Sequence, residues 1–511
     1  MLAQFPLFDR VFLDSLLAEF RATMRALLLD LCRDLAALAR TALLARRFPI
    51  SYFRSLARAL KPEEFSHWRV VGLIEGLNDL VYFLDAAEQL RADRDAQGFA
   101  ESFFAACVEQ FYENSYLDEL FPAGAPDHRG LKRRLGALCE RLNDQVIGEA
   151  LFLVPGLASQ SSEEGGRRKW NVRMSLGPDF ECGDPAMAIP WGLDGRWLSP
   201  RLATRRALTG ARYGTIELSK NEVHLSVGGL RVPVCREHRY DDRYWHIRTA
   251  AIIVAGRQAA VTLGPTVVYD RHRVPARVVP SPPALSRRMR RAVEVIERAW
   301  PEGASNFFAL TTHLVPIKAR GVVSYSYRHR PGLSFINCFD RNRLDLIDDL
   351  IHENSHHHLN LLLRKAVLLR GDHNQEIFYS PWRRSLRPLR GILHATFTFT
   401  MGAILFERLS SHADRLTDLL SPAEILRARA RCREEIASVQ YSLEDLDRAA
   451  ARKWLTRSGV RLVDELKGHI EKTEKRIAPY EAEVSRSRYG AALRRHRDEL
   501  ARAAKLYRWR S

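Results

Sequence analysis

The run Leu344-Asp-Leu-Ile-Asp-Asp-Leu-Ile-His-Glu-Asn-Ser-His-His-His-Leu-Asn-Leu-Leu-Leu363 constrains this chain more than any other stretch. Its apolar positions, Leu346, Ile347, Leu350, Ile351, Leu359, Leu362 and Leu363, recur at the spacing of a helix with one wide buried face. Inside it stands an H-E-x-x-H core, His352, Glu353 and His356. Residues i and i+4 share a helix face, so both imidazoles can reach one metal ion while Glu353 projects beside them. Two adjacent imidazoles on a buried helix need a partner for their ring nitrogens, and a metal ion is the simplest. His357 and His358 point to other faces of the same helix and read as solvent-facing or outer groups rather than as ligands.

At 511 residues the chain exceeds one ordinary core, so several substructures are expected. A hydrophobic share of 46% with 27% charged residues fits a globular protein rather than a disordered one. Lys and Arg outnumber Asp and Glu by 79 − 61 = +18. That balance is compatible with nucleic acid, a membrane surface or an acidic ligand. No helix-turn-helix, zinc-finger or aromatic RNA-binding pattern accompanies it, so it reads as solvated helix surface with no nucleic acid partner. Seven scattered cysteines without a C-x-x-C pair argue against a disulfide framework and against Cys-ligated zinc. No uninterrupted apolar run is long enough for a bilayer, and Met1 to Asp9 lacks the order of a signal peptide. A cytoplasmic location with no membrane partner is therefore expected.

Four regions follow from the patterning. Residues 1–160 read as helices, with apolar repeats in Phe8 to Leu44, Leu73 to Leu90 and Phe99 to Tyr112, and breaks at Arg46-Arg-Phe-Pro49 and Phe121 to Pro126. They carry no recognisable chemistry. Residues 161–280 open on a polar linker, Ser159 to Gly166, and then turn β-rich, with a hairpin expected across Lys220-Asn221. His238, Tyr244, Trp245 and His246 cluster there and read as an ordinary polar loop. Residues 281–415 hold a helix from Leu285 to Trp300, strands expected at Phe307 to Val315, Val322 to Tyr327 and Leu333 to Asn337, and then the H-E-x-x-H helix. Residues 416–511 read as charged helices covering the rest, strongly basic from Leu493 to Trp509. The fold class is α+β and predominantly helical, with a small β-rich middle and a helical metal-binding core packed on a small sheet.

Two imidazoles do not complete a site, and the third protein ligand decides the chemistry. The metzincin pattern needs Gly and His where this chain has Leu359 and Leu362, which excludes that class. A thermolysin-like zinc peptidase would use Glu376 with Glu353 as general base, but Gly371 to Ile377 reads as a loop. The remaining candidate is His394, on a helix that Pro388 can start and that stays apolar to Leu405. A core histidine satisfied by a neighbour is the alternative reading of His394.

Three ordered blocks, Leu350-Ile-His-Glu-x-x-His-His-His-Leu-Asn-Leu-Leu362, Tyr379-Ser-Pro-Trp-Arg383 and Arg387-Pro-Leu-Arg-Gly-Ile-Leu-His394, resemble the bacterial H-E-x-x-H motif domain found beside peptide-modification gene clusters. Members are iron(II)/2-oxoglutarate-dependent peptide β-hydroxylases. The likeness covers about residues 305–410 and departs where Ala395 stands in place of the family's Gly. It implies Fe(II) held by His352, His356 and His394, 2-oxoglutarate as co-substrate, and a peptide or protein substrate such as a ribosomally made precursor peptide. Such a site needs a fixed cation for the distal carboxylate of 2-oxoglutarate, and the planar fork of Arg suits it. Arg383, Arg387 and Arg390 lie within a few residues of His394, and the last two flank the first turn of its helix. Glu353 would then handle a proton rather than serve as a protease base. A zinc metallopeptidase, and a non-catalytic helical interaction protein with a degenerate metal site, are the alternatives.

Overall fold

A computed structural model describes residues 5–38, 50–111, 116–151, 153, 283–371 and 374–508, together with the strands between Trp170 and Gly264. The protein is a predominantly helical α+β chain, and it divides into two compact units. The first comprises Met1–Phe20, Ala250–Gly264 and Val279–Ser511; the second comprises Arg21–Thr249 and Pro265–Val278.

Helix α1 (Arg10–Leu38) buries Leu13, Leu16, Leu17, Phe20, Met24, Leu28, Leu31 and Leu35, one stripe at the helical period. The second unit continues with α2 (Ile50–Ala59), α3 (Trp68–Ala92), α4 (Ala96–Gln110), α5 (Tyr116–Leu120) and α6 (Leu131–Leu151). The expected break at Phe121 to Pro126 separates α5 from α6. Helix α3 is enclosed on most sides, so the buried Arg69 needs a counter-charge. Glu149 of α6 supplies it, accepting from Nη1 at 2.7 Å, and the Arg69 guanidinium also lies 4.2 Å over the Trp68 ring. Among the described residues eight strands follow: β1 (Trp170–Ser175), β2 (Ile189–Trp191), β3 (Arg196–Pro200), β4 (Tyr213–Ser219), β5 (Glu222–Val227), β6 (Leu230–Arg236), β7 (Arg239–Tyr240) and β8 (Tyr244–Ile247). They form antiparallel sheets in the orders β1-β4-β5-β6-β7 and β2-β3-β8. Ser219 pairs with Glu222, the register of the expected two-residue hairpin. The proposed linker, the break at 46–49 and His238 lie outside the described residues.

The first unit contains β9 (Ala250–Ile253), β10 (Ala260–Leu263), α7 (Pro283–Ala299), α8 (Pro301–Leu310), β11 (His313–Ile317), β12 (Tyr325–Ser326) and β13 (Leu333–Asn337). It continues with the H-E-x-x-H helix α9 (Arg343–Lys365), the hairpin β14 (Phe378–Ser380) and β15 (Ser385–Arg387), and then α10 (Leu389–Ser411). The charged tail supplies α11 (Pro422–Ala451), α12 (Arg457–Ile477), α13 (Glu481–Arg486) and α14 (Gly490–Tyr507). The sheet order is β12-β13-β11-β10-β9, with β11 parallel to both neighbours. Every residue of β11 and β13 is buried, which is why both read as unbroken rather than alternating apolar runs. Gly332, at φ +87, sets up β13; a Cβ there would stand 2.9 Å from the Leu310 carbonyl oxygen.

Two strand expectations are corrected. Phe307 to Leu310 form the last turn of α8, and the strand begins only at His313. A short apolar run satisfies either period, and Pro301 at the first turn of α8 commits it to helix. Only Tyr325–Ser326 of the stretch from Val322 to Tyr327 pairs as strand, while Val322 and Val323 are exposed. Helix α10 is long and apolar enough to cross a membrane by length and composition, yet 72% of its most apolar window is buried inside the protein. Its hydropathy reflects enclosure: Ile392, Leu393, Phe397, Leu405 and Phe406 are fully buried.

Candidate metal centre

Helix α9 begins with a reciprocal cap, in which the Asn342 side chain accepts from the Asp345 N–H and the Asp345 carboxylate accepts from the Asn342 N–H. Arg364 and Lys365 close its last turn, where a positive charge suits the helix end. Between these ends it buries residues on nearly every side, packed against the sheet and α10.

His352 and His356 face the same direction, with ring centroids 4.9 Å apart and planes at 78°. Ligand atoms of His352, Glu353 and His356 all lie within 4.8 Å of one another. From α10, His394 brings its ring centroid to 6.0 Å from that of His356. Burial pushes the His352 pKa down, the Asp348 carboxylate opposes this, and the Arg383 charge adds to it. His356 is held well below the usual range by burial and then by His352, His394 and His357. Both rings are therefore neutral near pH 7, the form that donates a lone pair to a metal.

Glu353 is 2% exposed, and burial pushes its carboxyl up to about 8, with the Ser326 hydroxyl opposing the rise. Its Oε2 is buried and has no hydrogen-bond partner among the described residues. A buried carboxyl with an orphaned oxygen between two neutral imidazoles is a donor set that a divalent ion, or a ligand bound to one, would satisfy. By that test the residues fit a metal.

Of the two readings of His357 and His358, solvent-facing or outer groups, the solvent-facing one is corrected, since they are 2% and 3% exposed. His357 Nε2 shares a 2.9 Å hydrogen bond with Ser334 Oγ of β13, and His358 stands edge-on to Phe397 of α10. Four successive turns of α9 are enclosed, so there is no solvent side for them to occupy. Asp349 accepts from Ser324 Oγ at 2.8 Å and pairs with Arg341 at 3.4 Å, while burial lifts it to about 6.

The three candidate cations are placed differently. Arg383 is exposed in the β14–β15 turn, close enough for its charge to act on His352. Arg387 is exposed at the end of β15, with its Nε 3.6 Å from where a Cβ on Gly391 would lie. Arg390 is half-buried on α10, one turn before His394 and so on the same helix face. Glu376 is exposed in irregular chain ahead of β14, and neither it nor His394 belongs to the group of ligand atoms within 4.8 Å of one another, which is His352, Glu353 and His356 alone.

Sequence reasoning missed the connections among a second set of residues. Phe399 of α10 meets the His352 ring edge-on at 4.9 Å, and Trp382 of the β14–β15 turn stacks on Phe399 at 4.3 Å and 6°. Trp382 Nε1 donates to Glu435 Oε2 of α11 at 2.8 Å. Arg431, one turn earlier on α11, donates to Asp348 at 2.8 Å and lies 3.5 Å from Glu435. These partners are remote in sequence, and local spacing carries no signal of them. No family model matches the chain, and a search of curated proteins returns no match.

Proposed function

We propose that the first unit is an iron(II)/2-oxoglutarate-dependent oxygenase that hydroxylates a side-chain β-carbon of a peptide or protein, and that it works in the cytoplasm. The observation that carries the reading is the approach of His394 from α10 to the His356 ring, with Arg390 one turn before His394. The ordered sequence blocks that resemble peptide β-hydroxylases support the same assignment. His352, His356 and His394 would hold the ion, leaving positions open for small ligands. Bound iron(II) supplies the means to couple decarboxylation of 2-oxoglutarate by O₂, giving succinate and CO₂, to insertion of the other oxygen atom into a C–H bond. Arg390, with Arg387 or Arg383, would receive the distal carboxylate of 2-oxoglutarate, a charge-assisted contact that a guanidinium makes in bidentate form. Glu353, whose carboxyl burial raises in the metal-free chain, would handle a proton beside the ligands.

A zinc peptidase with Glu353 as general base is the second reading, favoured by the closeness of Glu353 to both imidazoles. It would need Glu376 as third ligand, and the exposure of that residue weighs against it. The two part under one assay. Purified protein given iron(II), O₂ and 2-oxoglutarate is expected to form succinate and to add one oxygen atom to its peptide substrate, and His352→Ala is expected to abolish both. Peptide cleavage by the zinc form, indifferent to 2-oxoglutarate, would overturn the oxygenase assignment. Absence of metal after anaerobic iron loading would point instead to an interaction protein with a degenerate site.

A further inference from the structure

A closed ring of contacts surrounds His352 and draws in a helix that the three sequence blocks do not include. It runs from His352 to the edge of Phe399, from Phe399 to the stacked indole of Trp382, and from the indole N–H to Glu435. Arg431 stands beside Glu435 and donates to Asp348, which lies one turn before His352 on α9. At this level α9 and α10 are close: a Cβ on Gly402 would lie 3.5 Å from Asp348 Oδ1. The ring thus ties α9, α10, the β14–β15 turn and α11 to a single imidazole.

A ligating imidazole is useful only when its plane is set before the metal arrives, because residues around the ligands fix ring orientation and their loss weakens binding. Phe399 cannot accept a strong hydrogen bond from His352, so it acts by shape. Its own position is fixed by the Trp382 ring stacked flat on it. Trp382 is half-buried in a turn, where an indole with no polar anchor could take other rotamers. Glu435, 5% exposed, supplies that anchor, and Arg431 satisfies its other oxygen.

We propose that Trp382 is a positioning residue of the metal centre: anchored by Glu435 and Arg431 of α11, it holds Phe399 against His352 and presets that ligand's plane. The inference rests on the metal-centre reading above, and it adds α11, from the charged C-terminal region, to the machinery of the site.

Cobalt(II) binding to the full-length metal-free protein tests it without reference to turnover, through the ligand-field absorption of the bound ion and through affinity. Trp382→Phe keeps a ring but loses the indole N–H, and Phe399→Leu keeps apolar volume but removes the ring that touches His352. Both are expected to weaken cobalt(II) binding by about ten- to a hundred-fold and to alter the absorption bands, with thermal unfolding near that of wild type. Should one variant fail to fold, the other reads the same link. Wild-type affinity and bands in a folded variant of either kind would overturn the positioning role alone. A wild-type protein that binds no cobalt(II) would overturn the metal reading and this inference with it.

Discussion

Placing ionisable groups side by side in a low-dielectric interior favours whichever form carries no charge, and the residues around α9 show this repeatedly. His352 and His356 are held neutral by burial, while Asp349, Glu353 and Glu435 are pushed towards their protonated forms. Glu435 gives the cleanest test, since it touches no proposed ligand. Burial raises it to about 7, against the counter-effect of Arg431. In the unfolded chain its carboxyl ionises near the ordinary glutamate value, so between that value and about 7 the folded state binds more protons than the unfolded state. Stability from this group is therefore present at low pH and lost as pH rises through about 7. Denaturant unfolding of metal-free wild type and Glu435→Gln at pH 5 and pH 8 should show wild type losing on the order of 2 kcal/mol relative to the variant. Parallel losses in the two proteins would contradict the assignment. At this scale the H-E-x-x-H core was legible in the sequence because its members lie within one helical turn. The link from Trp382, which stands in one of the ordered blocks, to Glu435 was not, because their hydrogen bond spans 53 residues and Glu435 has no local pattern.

Elements were legible where one period ruled and ambiguous where two were satisfied. The stripes of α1 and α9 recur at helical spacing over many turns, and each forms one continuous helix. The run from Phe307 to Leu310 is too short to choose a period by itself, and the proline six residues before it decides the matter. The solvent-facing alternative for His357 and His358 failed for a related reason. A helix clamped between a sheet and other helices has no exposed side, and a sequence shows a helix's period but not how many neighbours it has. Between α3 and α6, the Arg69–Glu149 pair is buried on both sides, at 0% and 2% side-chain exposure. Glu149→Ala removes that carboxylate from a buried guanidinium and should cost about 3–5 kcal/mol in equilibrium unfolding. A loss below about 1 kcal/mol would mean that water or another group takes over the charge.

For the whole molecule, fold class was readable because helical periods dominate both ends of the chain and β-branched segments gather in the middle. What could not be read was the role of the C-terminal helices. Charge at helical spacing looks the same whether a helix is a solvated cover or a brace, and α11 uses Arg431 and Glu435 to reach residues around His352. The proposed function turns on which residues complete the coordination begun by His352 and His356, and calorimetric titration of the metal-free protein with iron(II) under anaerobic conditions measures that directly. One iron per chain is expected for wild type and for Glu376→Ala, with at least about tenfold weaker binding in His394→Ala. Undiminished binding by His394→Ala, with the loss falling on Glu376→Ala instead, would contradict the three-histidine centre and favour the peptidase arrangement.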